Sequence, residues 1–206
     1  MLALDLPPFL LAWLSTRRAD RGGPRADRGT TAALLADHGA HAPALDFEAM
    51  YGGLRIFNSY YRDVPLLLVG PYACLSAIGP DRHHDGLVPA ICNADDSIYS
   101  LDTDGRGSMC NRMVQGMWRP CARDGRQLLT QAILWCVLDA HPAGYDVREG
   151  RNGASIATEF GLAPIDDATC DDEQWWGDAT RLVVEIPWGN GFLGPVTYAS
   201  VFSILR

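Results

Sequence analysis

Lysine is absent from this chain: all seventeen basic residues are arginine. That usage fits a GC-rich genome and says nothing about function. No internal run reaches the ~18 uninterrupted apolar residues that cross a bilayer, so no spanning helix is expected. The opening stretch, MLALDLPPFLLAWLSTRR, looks at first like a leader peptide. Its arginines follow the apolar run, Asp5 and Pro7-Pro8 interrupt it, and no small-residue cleavage site ends it. It reads as a short amphipathic helix with proline near its start. No CxxC pair occurs. The six cysteines, at 74, 92, 110, 121, 136 and 170, are scattered and read as buried free thiols. None of their spacings is of the zinc-finger type.

The usual catalytic signatures are missing as well. There is no G-x-S-x-G, no H-E-x-x-H and no H-x-E followed by P-C-x-x-C. Gly-x-Gly occurs at 105–107 and 189–191, in neither case within a strand–glycine-rich–helix pattern. These absences shift the expectation from an enzyme towards a binding protein without metal or cofactor. His83-His84-Asp85 is the one cluster with catalytic or metal-ligating side chains close together. Adjacent histidines on an extended backbone point to opposite faces, and no third ligand follows at a typical spacing. The loop GPDRHHDG (79–86) therefore reads as an exposed polar connection. The alternative is a metal-dependent or cysteine hydrolase using His83, His84 and Asp85. The run DTDG (102–105) begins like a calcium loop, but position twelve is Met113 rather than glutamate. It reads as a hairpin turn.

What is present suffices for one domain with a full core: 206 residues, 48% hydrophobic and 20% charged. The charge is lopsided. Residues 1–138 carry 13 Arg against 14 Asp and Glu, whereas residues 139–206 carry 4 Arg against 11. Most of the net −8 therefore lies in the last third. Such a chain is a poor ligand for nucleic acid and a suitable one for a basic partner.

Periodicity predicts helices over 1–18, 30–38, 42–51 and 127–138. Asp46 and Glu48 fall early in the third of these, where carboxylates suit the helix dipole. Strands are predicted over 54–57, 65–69, 72–78, 87–93, 97–101, 107–110, 181–187 and 196–205. Residues 155–160 read as either a short helix or a strand. The segment ADRGGPRADRGT (19–30) contains ADRG twice and is expected to be a mobile loop. Strands in succession with helices at the flanks argue for an α+β fold with a mainly antiparallel sheet. Because an isolated hairpin is marginal in water, the last two strands would more cheaply add to an existing sheet than stand alone, and the sequence leaves open whether they extend the main sheet or form a separate appendage.

The segment PIDDATCDDEQWWGD (164–178) is the strongest candidate for a contact surface. It holds Asp166, Asp167, Asp171, Asp172, Glu173 and Asp178 beside Trp175 and Trp176, with no basic residue. Carboxylates steer a basic partner in, and tryptophan is enriched among interface anchors. The competing reading is a solvated acidic loop with its tryptophans in the core.

Three stretches together resemble one family. PALDFEAMYGGL (43–54), a helix with a Phe-Glu pair running into Tyr-Gly-Gly, resembles the amino-terminal signature of the SUKH superfamily. LVPAICN (87–93) with DSIYSLDTDG (96–105) resembles that family's strand pair, and Arg123–Leu138 its closing helix. The resemblance spans about residues 42–138, within a single SUKH-like domain covering 1–206. A helical extension (1–41) precedes the signature region and an acidic one (139–206) follows it. It implies a curved, mainly antiparallel sheet flanked by helices, with the C-terminal extension adding strands. It also implies a cytoplasmic immunity protein that blocks a cognate toxin, often a nuclease or deaminase, by stoichiometric binding, with no catalytic residues. Other members of the superfamily are regulatory or scaffold proteins.

Overall fold

The computed structural model describes residues 4–36, 42–57, 64–78, 86–93, 97–111, 118–139, 146–147, 152–170, 173–186 and 196–201. Its first structural unit is a seven-stranded antiparallel sheet in strict sequence order. The strands are β1 (Ala19–Asp20), β2 (Arg55–Phe57), β3 (Pro65–Val69), β4 (Val88–Asn93), β5 (Ser97–Leu101), β6 (Gly107–Asn111) and β7 (Arg119–Ala122). Helices α1 (Pro8–Ser15), α2 (Arg28–Leu34), α3 (Ala42–Tyr51), α4 (Pro71–Ile78) and α5 (Gly125–Asp139) surround it. The expected α+β class with a mainly antiparallel sheet holds. Among the described residues no helix is long and apolar enough to cross a membrane.

The turn after β5 forms as its sequence dictates. Asp102 Oδ1 accepts the amides of Asp104 and Arg106 at 2.9 and 2.8 Å. Gly105 supplies the left-handed φ of +82° that a side chain would resist. Residues 72–78, by contrast, are not a strand. Proline at the first helical position presets φ, and Gly70 takes φ +115° to turn the chain out of β3. The Glu48 carboxylate, arriving from α3, accepts the Tyr72 amide at 3.1 Å. The helix is therefore capped by a residue 24 positions upstream, and no local pattern carries that information.

Helix α5 is buried on nearly every side. Leu128, Leu129, Ala132, Ile133, Leu134, Cys136 and Leu138 are fully buried, and Gln127, Thr130 and Gln131 are at most 2% exposed. A helix with no wet face needs cover on two sides. The seven-stranded sheet supplies one cover with Leu67, Val69, Ile91, Tyr99 and Leu101. The C-terminal region supplies the other.

That region forms a sheet of its own. β8 (Asp146–Val147), β11 (Val196–Val201), β10 (Arg181–Ile186) and β9 (Gln174–Gly177) pair antiparallel in that order. The C-terminal extension thus adds strands, as expected, and the question left open by the sequence is answered: they form a second sheet and do not extend the first. Four strands with two apolar faces remove the isolation that made a lone hairpin costly. Alternation along β10 sends Leu182, Val184 and Ile186 into the main core. Val183 points the other way, towards α6 (Gly153–Phe160). The layers therefore run sheet, α5, sheet, α6.

The segment 19–30 is docked rather than loose. Ala19 and Asp20 pair with Ile56 and Arg55, and the Gly23 amide donates to the Gly53 carbonyl at 3.0 Å. The two ADRG copies do different work. Asp20 pairs with the Arg55 guanidinium at 2.8 Å, which holds its carboxyl below the usual range. Asp27 caps α2 through the Thr30 amide and hydroxyl, both at 2.9 Å. All six cysteines are free thiols, as expected, but only Cys74, Cys121 and Cys136 are buried; Cys92, Cys110 and Cys170 are partly exposed.

Candidate partner-binding surface

The acidic segment 164–178 divides into an inward and an outward half, and α5 decides which is which. Gln127 and Gln131, one helical turn apart, donate through Nε2 to the carbonyls of Thr169 and Ala168 at 2.6 and 2.7 Å. Gln131 Nε2 also reaches the Cys121 carbonyl on β7 at 2.5 Å. The segment is closed by the Cys170 amide on the Glu173 carbonyl at 2.8 Å. Thr169 Oγ1 then accepts the Trp175 amide at 3.0 Å.

Glu173, Trp175 and Trp176 are consequently interior, a correction to their expected place on a contact surface. Glu173 is 1% exposed. Its Oε1 pairs with the Arg119 guanidinium of β7. Its Oε2 accepts the indole N–H of Trp175 at 3.1 Å and of Trp135 at 3.3 Å. Those two indoles meet edge-to-face, 5.3 Å between centroids. Neighbouring strand positions face opposite ways. Trp175 therefore enters the main core, while Trp176 packs with Ile156, Ala157, Leu162 and Val183 under α6.

The outward half is Asp166, Asp167 and Asp178. Asp178 is exposed but locally engaged: its Oδ1 accepts the amides of Thr180 and Arg181 at 2.6 and 3.0 Å. Partial burial pushes its pKa up, but the Thr180 and Arg181 bonds outweigh that and leave it lowered. Asp166 is exposed. Asp167 is two-thirds buried and receives both terminal nitrogens of Arg126, at 3.2 and 3.1 Å. Arg126 also reaches Asp5, whose carboxylate is 77% exposed, at 3.1 Å. Asp124, exposed, caps α5 through the Gln127 amide at 2.8 Å. The Tyr51 hydroxyl registers this surroundings: burial raises its pKa first, and Asp5 and Asp124 add to the rise.

The acidic surface thus gathers Asp5 from the N-terminal segment, Asp124 from the start of α5, and Asp166 and Asp167 from the C-terminal loop. Asp5 and Asp124 were not candidates in the sequence, because their proximity arises only when α1 and α5 pack. Asp171 and Asp172 lie outside the described residues, as do His83, His84 and Asp85.

Glu48 does not serve the α3 dipole. It sits in the second half of a helix spanning Ala42–Tyr51 and is 5% exposed. Burial raises its pKa, against weaker opposing pulls from the amides of Tyr72 and Ala26. Asp46 is exposed and pairs with Arg28 at 2.6 Å. Among the described residues no group of three or more His, Cys, Asp and Glu is placed to hold a metal ion.

No family model, curated protein or solved structure matches the chain.

Proposed function

We propose that this protein is an immunity protein of the SUKH type, binding and neutralising a cognate toxin with a basic surface in the cytoplasm of the cell that makes both. The observation that carries the reading is the acidic surface around Arg126: four aspartates from three separate segments, two of them bridged by Arg126 and a third, Asp124, paired with Arg123 at 3.7 Å. The SUKH resemblance of 42–138 supports it. Its three stretches fall on α3 with the turn into β2, on the β4–β5 pair with its hairpin, and on α5.

The binding chemistry follows from the charges. Exposed carboxylates on a rigid two-sheet scaffold raise the rate of encounter with a cationic protein. A toxin acting on nucleic acid offers such a surface, because its own substrate is a polyanion. Inhibition is stoichiometric, and the chain transforms no substrate.

Growth rescue tests this directly. Co-expression with the toxin encoded by the neighbouring gene is expected to restore growth, and Asp5→Arg with Asp166→Arg to abolish the rescue while the chain stays folded. Failure of the unmodified chain to rescue, or full rescue by the double variant, overturns the proposal.

A further inference from the structure

The first sheet brings together two cysteines, Cys74 of α4 and Cys92 of β4. Their meeting follows from the strand pairing. Val69 turns both of its backbone groups towards β2: its amide donates to the Leu54 carbonyl and its carbonyl accepts the Gly53 amide, each at 2.9 Å. The backbone groups of its neighbour Leu68 therefore turn the other way, towards β4, where Leu68 stands opposite Cys92. The Cys74 thiol donates to that Leu68 carbonyl at 3.5 Å. It thus sits over the seam between β3 and β4, within hydrogen-bond reach of the Cys92 thiol and the Cys92 amide.

Both side chains lie on one face of the sheet. Ile91 enters the core shared with α5, so the next residue, Cys92, points to the opposite face. Helix α4 packs on that face, where its Leu75 joins Val88 of β4 in a separate apolar cluster.

The two thiols differ in access. Cys74 is fully buried, whereas Cys92 is partly exposed. Burial pushes the Cys74 thiol well above its ordinary range, and the Cys92 thiol and the Glu48 carboxylate add to the rise. A neutral, enclosed thiol is a poor first target for an oxidant. A partly exposed thiol with a second sulfur against it is the arrangement of a redox sensor beside its resolving cysteine.

We propose that Cys92 and Cys74 form a peroxide-sensitive switch, in which Cys92 takes the oxidation and Cys74 resolves it to a disulfide that pins α4 to β4. In the first step the Cys92 sulfur attacks a hydroperoxide and its O–O bond breaks. Cys92 becomes a sulfenic acid, and the far oxygen leaves as water or an alcohol. In the second step the Cys74 sulfur displaces hydroxide from the sulfenic sulfur, and the Cys74 proton leaves with it as water. The pair gives up two electrons and two protons, and the peroxide takes them. A thiol reductant reverses the change. The switch needs no partner protein and does not depend on the toxin-binding reading.

The test uses the full chain, reduced and folded, treated with hydrogen peroxide and then alkylated. Trypsin cutting after Arg62, Arg82 and Arg106 releases Cys74 and Cys92 in separate peptides, 63–82 and 83–106, each with no other cysteine. Mass spectrometry is expected to find these two peptides joined, lighter than their sum by two hydrogens, and separated again by dithiothreitol. Oxidation should raise the melting temperature by roughly 5 °C, because the cross-link restricts the unfolded chain. In Cys74→Ala, Cys92 should instead accumulate as a sulfenic acid that dimedone traps. In Cys92→Ser, Cys74 should remain a free thiol in peroxide. If Cys74→Ala does not fold, the joined peptides and Cys92→Ser decide the matter. The proposal is overturned if the two peptides are not joined by peroxide, or are joined only after denaturant is added. It is equally overturned if oxidation leaves the melting temperature where it was, or if Cys74 in Cys92→Ser is oxidised as fast as Cys92 in the parent chain. None of these results bears on the toxin-binding reading.

Discussion

Among the described residues, each half of the molecule buries one glutamate, and the two are treated in opposite ways. In the C-terminal half, Glu173 is saturated: a guanidinium takes one oxygen and two indoles take the other. In the N-terminal half, Glu48 is under-satisfied: the Tyr72 amide takes Oε2, the Ala26 amide exerts a weaker pull, and Oε1 is buried with no hydrogen-bond partner among the described residues. A paired buried charge fixes how elements dock, and here it joins β7, α5 and β9. A buried charge left half-paired is unfavourable for the fold alone. The contrast separates a carboxylate that holds layers together from one with a valence to spare.

Removing each in turn sharpens that contrast. Glu173→Ala strands the Arg119 guanidinium and two indole donors, and should destabilise the chain by about 3–5 kcal/mol. Urea denaturation followed by tryptophan fluorescence reads this, since two of the affected groups are the chromophores. Gly70→Ala comes next. It imposes a side chain at φ +115° and drives a methyl against the Glu48 carboxylate, for a loss of about 1–3 kcal/mol.

Glu48→Gln should have a smaller effect of unusual sign. The folded pKa of Glu48 is raised by burial from the ordinary 4.5. The folded state therefore holds this proton more tightly than the unfolded state. The associated stability is fully present below pH 4.5 and is lost as pH rises through the folded value. The variant should thus lack this loss, its stability falling less than that of the parent chain as pH rises through that window, measured by denaturation at a series of pH values. An unchanged profile would remove the buried charge from the account. Smallest of all is Asp166→Arg, which should alter stability by no more than about 0.5 kcal/mol, as expected for an exposed loop position.

The legible parts of the fold were those written in local pattern. Helix α3 with its glycine pair, β4 and β5 with the Asp102–Gly105 turn, and α5 carry their own periodicity and punctuation. Helix α4 was not legible, because its cap comes from Glu48 on another helix and its short apolar run fits two periods equally. The C-terminal sheet could have been read further. The residues RLVVEI alternate, and the QWWG pair of indoles carries high strand propensity. The acidic surface was only half visible. Charge density picked out 164–178, but Glu173 finds its arginine 54 residues upstream, and Asp5 joins through Arg126, 121 residues away. Composition counts carboxylates without saying which of them fold inward. The broad apolar content of α5, with two glutamines one turn apart, was the available hint that something would cover its second side.

The rate at which this chain associates with the toxin encoded beside it, measured by stopped flow across a range of salt concentrations, addresses the central claim most directly. The account predicts rapid association at low salt that slows steeply as salt screens the surface, and a slower, nearly salt-independent rate for the Asp5→Arg, Asp166→Arg chain. Equal rates and equal salt slopes for the two chains would contradict it.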